Sequence, residues 1–450
     1  MTYAIKIKGE SADVAAVANN RRNKIQSEDL AIHNWYQFIL GFPPHLVRHY
    51  MNKFQITKKH LILDPFCGIG TTPVECLKQG VSSYGVEANP IAVFASRVKT
   101  YTNYDLETLY DYLAFIYHSM KLSYEYYGIF EPQEELFDYE TNLDPIKVTY
   151  ITDLPEEQKK IIPKGFICPK PLGKVLIIKE IIKTIKIAPV RDFFLLVLAN
   201  FIVRQAGNVR FGPEVGRTKP KGDVKSIQNF LLRAETMISD IQRTNLTGRA
   251  QIITGDARRM DDYMPRRLLG KVNCVITSPP YPNEKDYTRS TRLESVLLDF
   301  IRNKSDLRKI KQNLLRSNSR NIFVSDDDGE CIKRFSRITS IAEEIESRRR
   351  DLKKTSGFEK HYHKIVLHYF GGMYRHLKTL KSYLSRDCHL AYVVGDQMSF
   401  FRILIPTAVL LGEIADSLGY KVEDIELWRT RAATATKMEI DENVLILKKK

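Results

Sequence analysis

Residues 61–80 read LILDPFCGIGTTPVECLKQG. Three apolar residues run into Asp64 and Pro65, glycines follow at Gly68 and Gly70, and beyond Thr71 the apolar positions recur at helical spacing. The stretch predicts a short strand, a glycine turn and a helix. Glycines placed there let the backbone turn sharply and let a ligand come close to a helix N-terminus. The loop from Asp64 through Phe66, Gly68 and Gly70 to Thr71 and Thr72 is therefore a candidate ligand cradle. Pro73 stands where a dinucleotide fingerprint has its third glycine, which argues against a nicotinamide or flavin cofactor.

The next residues, SSYGVEANPIAVFASRVKT, repeat the theme with a strand ending at Glu87 and a helix opening near Asn89 and Pro90. Two successive strand-helix units predict a doubly wound parallel sheet. The sheet resumes at AQIITGDARRM (250–260), KVNCVITSPPY (271–281) and HLAYVVGD (389–396), followed by a helix over 406–418 closed by Gly419. Two late strands, KVEDIELW and NVLILKK, are joined by a link too short for a crossover helix, so they should pair antiparallel.

The intervening stretches are insertions. The expected division is 1–100 as the first part of the sheet domain, 101–248 as a mainly helical insertion, 249–287 as the return to the sheet, 288–360 as a second, polar insertion, and 361–450 as the last part of the sheet domain. No internal repeat or long low-complexity segment interrupts this plan.

Glu87, at a strand end, is placed to accept both hydroxyls of a ribose, and Asp256, at the end of the next strand, to accept from an adenine amino group. Either alone is more often a helix cap or a polar strand end, but the two in this order after a glycine turn favour the ligand reading. The sharper signal is TSPPY (277–281), directly after the apolar strand CVI. Two prolines lack N–H donors and hold the chain in a fixed extended shape, presenting a carbonyl to a cleft. An exocyclic amine is a poor nucleophile because its lone pair is delocalised. Hydrogen bonds to the Ser278 hydroxyl and the Pro279 carbonyl, held rigid by Pro280, would draw it toward tetrahedral geometry, and Tyr281 could stack on a base extruded from a duplex.

Taken together, DPFCGIGTT, Glu87, Asp256 and TSPPY resemble the amino-methyltransferases of DNA. The wider chain is similar to site-specific DNA methylases, including HNWYQFILGFPPHLV before the first motif and RTRAAT before the last strand. The resemblance implies an α/β fold, a Rossmann-like class I methyltransferase sheet with a C-terminal antiparallel pair and two large insertions. It implies S-adenosyl-L-methionine as cofactor, held by Asp64, Phe66, Gly68, Gly70, Thr71, Thr72, Glu87, Asn89 and Asp256, with Ser278, Pro279, Pro280 and Tyr281 catalytic. It implies double-stranded DNA as substrate and a cognate restriction endonuclease as a companion. A serine opening the motif is typical of cytosine-N4 enzymes, whereas Asp or Asn is more usual for adenine-N6 enzymes. The first insertion here precedes the Asp256 strand rather than following it, leaving open which insertion reads DNA. Asn34 and Trp35 could line the methionine end of the cofactor, or serve as a cap and a core residue.

Composition agrees with this class without proving it. Lys and Arg number 69 against 53 Asp and Glu, a net charge of +16 that favours polyanionic partners. Six scattered cysteines without a C-x-x-C pair predict a reducing, cytoplasmic setting and no zinc site. The N-terminal residues lack the apolar run of a signal peptide, and the apolar stretch 193–203 reads as a buried helix rather than a membrane span. Transfer to carbon 5 of cytosine is excluded, because no Pro-Cys dipeptide occurs to supply its thiolate. Guanine-N2 transfer in RNA shares the core motifs but usually has an RNA-binding domain ahead of them, and about 60 residues leave little room for one. A non-catalytic nucleic-acid binder would not need Asp64, Glu87, Asp256 and TSPPY together.

Overall fold

The computed structural model describes residues 24–37, 41–131, 139–149, 151, 153–210, 215–283, 285–432 and 438–450. The sheet domain begins with α1 (Pro44–Lys53), β1 (Leu61–Asp64), α2 (Thr71–Lys78), β2 (Ser82–Glu87) and α3 (Pro90–Thr100). The first insertion follows as α4 (Leu106–Tyr126), α5 (Pro169–Lys183), α6 (Ala188–Phe201), a short pair β3 (Val209–Arg210) and β4 (Gly216–Arg217), and α7 (Ser226–Arg243). The chain returns through β5 (Ala250–Thr254) and β6 (Val272–Thr277), and the second insertion includes α8 (Lys304–Asn313) and α9 (Ser336–Asp351). It closes with α10 (Tyr362–Leu380), β7 (Leu384–Gly395), α11 (Thr407–Ser417), β8 (Tyr420–Ala432) and β9 (Glu439–Lys449).

Seven strands form one sheet in the order β5-β2-β1-β6-β7-β9-β8. The first five are mutually parallel, and β9 runs antiparallel to both β7 and β8. The late strands thus pair as their short link requires, and the hairpin folds inward so that β9, not β8, meets β7. A parallel sheet needs cover on both faces, and the strand patterns show it. On β7, Leu390, Tyr392 and Val394 join the core beneath α10 and α11, while Ala391 and Val393 join the core beneath α1.

The first insertion packs onto the sheet through α3. Ile91, Ala95 and Val98 share one apolar core with Phe193, Phe194, Leu196 and Val197 of α6 and with Phe230 and Met237 of α7. The apolar stretch 193–203 is thus the buried hub of this insertion, and no described helix is long and apolar enough to cross a membrane.

The second insertion is tied to α10 by close backbone contact. The turn Asp328–Ile332 lies against the glycine pair Gly371-Gly372, where a Cβ added at Gly371 would sit 1.9 Å from the Asp328 carbonyl oxygen. Alanine is the better helix former by about 1 kcal/mol, yet the overlap with backbone outweighs it. Gly371→Ala should therefore destabilise the protein by about 1–3 kcal/mol, read as a lower midpoint in thermal unfolding; a raised midpoint would contradict this packing.

Candidate active site

The site starts where β1 and β6 end side by side. Ile62 pairs with Cys274 and Leu63 with Val275, so Asp64 and Thr277 emerge together. Asp64 is fully buried; its Oδ1 accepts from the Thr277 hydroxyl at 2.6 Å and from the Phe66 amide at 3.1 Å. Thr72 adds a second tie, its hydroxyl donating to the Ile276 carbonyl at 3.2 Å. These bonds clamp the glycine loop to the root of the TSPPY motif. Burial pushes the Asp64 carboxyl up to about 7, with the Thr277 hydrogen bond pulling the other way.

Gly68 and Gly70 take φ of +51° and +87°, the left-handed region that favours glycine. Glu87 then fixes the loop from the next strand. Its Oε2 accepts from the Gly68 amide at 2.9 Å, and its Oε1 from Ala88 and Asn89 amides at 2.9 and 2.7 Å. Burial raises the Glu87 pKa, opposed by these amides. Asn89 precedes α3 and reaches the Thr291 hydroxyl at 3.4 Å through its side chain.

Asp256 is more heavily engaged than its position suggests. Arg258 Nε donates to Oδ1 and Oδ2 at 3.0 and 3.1 Å, Nη2 donates to Oδ2 at 2.7 Å, and the Arg258 amide donates to Oδ1 at 3.0 Å. A carboxylate offers roughly four acceptor positions; Arg258 fills most of them with three N–H donors, its Nε–H shared between the two oxygens. The same guanidinium donates to Asp328 Oδ2 at 2.5 Å and to the Gln312 carbonyl at 2.9 Å. Burial works against the charge of Arg258, and Asp256 and Asp328 more than offset it. This network joins the end of β5 to the second insertion.

On the other side, the Tyr281 hydroxyl donates to Glu442 Oε1 on β9 at 2.9 Å, and Glu442 is also paired with Arg429. The tyrosine ring lies over Gly395, where an added Cβ would come within 3.0 Å of the ring and 3.1 Å of Arg431 Nη2. Burial, then Glu442, holds the phenol protonated well above its usual range, while the neighbouring Ser278 hydroxyl acts in the opposite sense.

One pocket of about 1040 Å³, including its open mouth, connects these features. Phe66, Gly68, Thr71, Glu87, Asn89, Asp256 and all of Ser278 through Tyr281 line it, whereas Asp64, Gly70 and Thr72 lie outside the lining. Asp64 and Thr72 thus position the wall from behind, and Gly70 serves close helix approach, since a Cβ there would meet Ser96 Oγ at 2.5 Å. Asn34 and Trp35 are also outside the lining. Trp35 is a core residue, its indole donating to Asp240 at 2.9 Å and its ring edge-on to Phe193. Gly41 and Phe42, farther along the same stretch, line the pocket instead. Sequence reasoning missed Arg258, Tyr287 and the second-insertion wall of Asn313, Leu314, Leu315, Ser317 and Asn321. Only the proximity of Arg258 to Asp256 in sequence hinted at any of these.

A glycine turn and a strand-end carboxylate facing one pocket at the C-terminal ends of parallel strands, with an antiparallel last strand, is the architecture of a Rossmann-like methyltransferase. No family model matches the chain. Relatives do: it is 27% identical to the type II methyltransferase M.BsoBI of Geobacillus stearothermophilus, over 89% of this chain and 80% of that protein. It is 22% identical to the type II methyltransferase M.AvaI of Nostoc sp., over 87% and 80% of the two chains. A shorter stretch, 17% of this chain and 14% of the other, is 31% identical to the type II methyltransferase M.MjaII of Methanocaldococcus jannaschii. Over most of its length the chain is thus similar to type II methyltransferases, in agreement with the DNA methyltransferases that its two motifs resemble.

Two outcomes follow from the buried carboxylates. The folded pKa of Asp64, about 7, lies above its ordinary 3.8, so the native state keeps a proton that the unfolded chain releases between these values, and stability falls as pH rises through that window. Asp64→Asn keeps an acceptor for Thr277 and Phe66. Its stability relative to wild type should rise from pH 4 to pH 7 by on the order of 2–4 kcal/mol, measured by urea unfolding across pH; a difference that stays flat would refute the assignment. Arg258→Ala removes the close partner of buried Asp256 and one of two arginines on buried Asp328, which keeps Arg375 at 3.1 Å, and should cost about 3–5 kcal/mol in the same assay at neutral pH, whereas a loss under 1 kcal/mol would show the network to be dispensable.

Proposed function

We propose that the chain transfers a methyl group from S-adenosyl-L-methionine to the exocyclic N4 of cytosine in duplex DNA, in a restriction-modification setting beside a cognate endonuclease. The observation that carries this reading is the single pocket walled on one side by the glycine loop and Glu87 and on the other by Ser278, Pro279, Pro280 and Tyr281.

The residues fit the cofactor. A Cβ added at Gly68 would meet nothing within 4 Å, so the loop leaves open space for a ligand. Glu87 has acceptor capacity left on Oε2, which the Gly68 amide uses once, and this suits ribose hydroxyls. Phe66, Val86 and Leu315 offer apolar surface for a purine ring, with the Asp256–Arg258 pair at its edge. When bound, the cofactor supplies an electrophilic methyl group.

The chain's own work is to place and polarise the amine. The Ser278 hydroxyl and the Pro279 carbonyl accept its hydrogens and raise electron density on the nitrogen, and Tyr281 stacks on the extruded base. The bond to Glu442 and the contact with Gly395 hold the ring in one orientation, so stacking needs little reorganisation. Ser278, rather than Asp or Asn, at the head of the motif supports cytosine over adenine.

Nucleoside mass spectrometry of plasmid DNA from cells expressing the chain tests the reading. N4-methylcytosine is expected with the wild type and absent with Ser278→Ala. N6-methyladenine would overturn the base, and neither mark, with cofactor binding intact, would overturn DNA as the substrate. Tyr281→Ala should weaken binding to duplexes containing a target site by about 1–3 kcal/mol of stacking, whereas Tyr281→Phe, which keeps the ring, should lose far less.

A further inference from the structure

The end of the first insertion carries positive charge on a rigid base. Residues 204–225 contain Arg204, Arg210, Arg217, Lys219, Lys221 and Lys225 against only Glu214 and Asp223. Asp223 is taken by Lys174 at 2.6 Å. Lys221 turns inward, its ammonium donating to the Gln205 and Gly207 carbonyls at 2.8 Å each. Arg210, Arg217 and Lys219 are exposed on the β3–β4 pair and its outgoing limb. The polar contact of the Arg217 guanidinium is with a neutral group, the Lys164 carbonyl, at 3.3 Å.

These cations ride on a fixed backbone. Val209 pairs with Arg217 and Arg210 with Gly216. Buried Asn208 then ties both limbs down: its amide donates to the Phe166 carbonyl at 2.6 Å, its carbonyl accepts from Thr218 at 2.9 Å, and its Oδ1 accepts from the Lys221 amide at 2.9 Å. The base of the ribbon also touches both segments that flank the pocket wall. A Cβ at Gly207 would lie 2.7 Å from Leu293, in the short helix Arg292–Leu297 that follows Tyr287, and the Arg204 guanidinium bonds Gln37, just ahead of Gly41.

Exposed like charges held together repel one another and give the isolated chain nothing in return; a partner with regularly spaced negative charge turns that cost into affinity. A two-stranded ribbon also matches the width of a DNA groove. We infer that the β3–β4 ribbon grips the phosphodiester backbone of duplex DNA through Arg210, Arg217 and Lys219, anchoring the duplex beside the pocket. The inference rests on DNA being the substrate.

The test uses the full chain and a fluorescein-labelled duplex of random sequence, titrated at several salt concentrations. The triple variant Arg210→Ala/Arg217→Ala/Lys219→Ala should bind roughly tenfold more weakly, and its plot of log affinity against log salt should be shallower by about 0.9 for each phosphate that is no longer neutralised. Its melting temperature and its affinity for S-adenosylhomocysteine should match wild type. A charge-matched variant, Lys58→Ala/Lys59→Ala/Lys421→Ala, removes three exposed cations at the opposite, N-terminal ends of β1 and β8 and should keep the wild-type slope. An unchanged slope in the ribbon variant, or an equal loss in both variants, would overturn the inference. The wild-type arm is read separately: failure of the unmodified chain to bind duplex DNA at all would overturn the DNA reading itself.

Discussion

The buried hydrogen bond from Thr277 to Asp64 is the joint on which the site depends. Each residue ends its own parallel strand, and the bond crosses between motifs 213 positions apart in sequence. On one side it fixes the glycine loop through the Phe66 amide; on the other it sets the point from which Ser278, Pro279, Pro280 and Tyr281 leave the sheet. Because the bond sits in the protein interior, where water cannot substitute for either partner, the two halves of the pocket are positioned relative to each other before any ligand arrives. That pre-organisation suits a reaction in which the protein contributes placement and polarisation rather than a covalent intermediate.

Much of this architecture was legible in the sequence because its signals are local. The strand-glycine-helix unit at 61–80, the strand ending at Glu87 and the short link between the last strands each carry their own physical reason, whereas the order of the strands depends on long-range pairing. The proline pair after β6 marked the second wall of the pocket for the same reason. What the sequence did not disclose depends on long-range packing. Asp256 looks like a free acceptor until Arg258 is seen to occupy most of it and to continue to Asp328 and Gln312. Tyr281 looks like a free ring until Glu442, 161 residues later, is seen to hold its hydroxyl. Trp35 reads as well for a pocket residue as for a core one, and only the position of α6 assigns it to the core.

The two insertions divide the surroundings of the pocket. The second contributes wall directly, through residues between Asn313 and Asn321, and is pinned to the catalytic sheet by the Arg258 fork and by the backbone contact at Gly371. The first shares its apolar core with α3, and so joins the helix that Asn89 opens to the insertion that carries the basic ribbon. Ligand pocket and outer surface are thus parts of one packed structure rather than a core with loose appendages.

The central claim is that the two motifs and the second insertion enclose one cofactor-and-base pocket. Amide hydrogen exchange of the full chain with and without S-adenosylhomocysteine tests it most directly. The account predicts added protection at residues 66–71, 87–89 and 255–258 together with 313–321, the last because Leu314 and Leu315 face the same cavity. Protection confined to other parts of the chain, or none at saturating ligand, would contradict it.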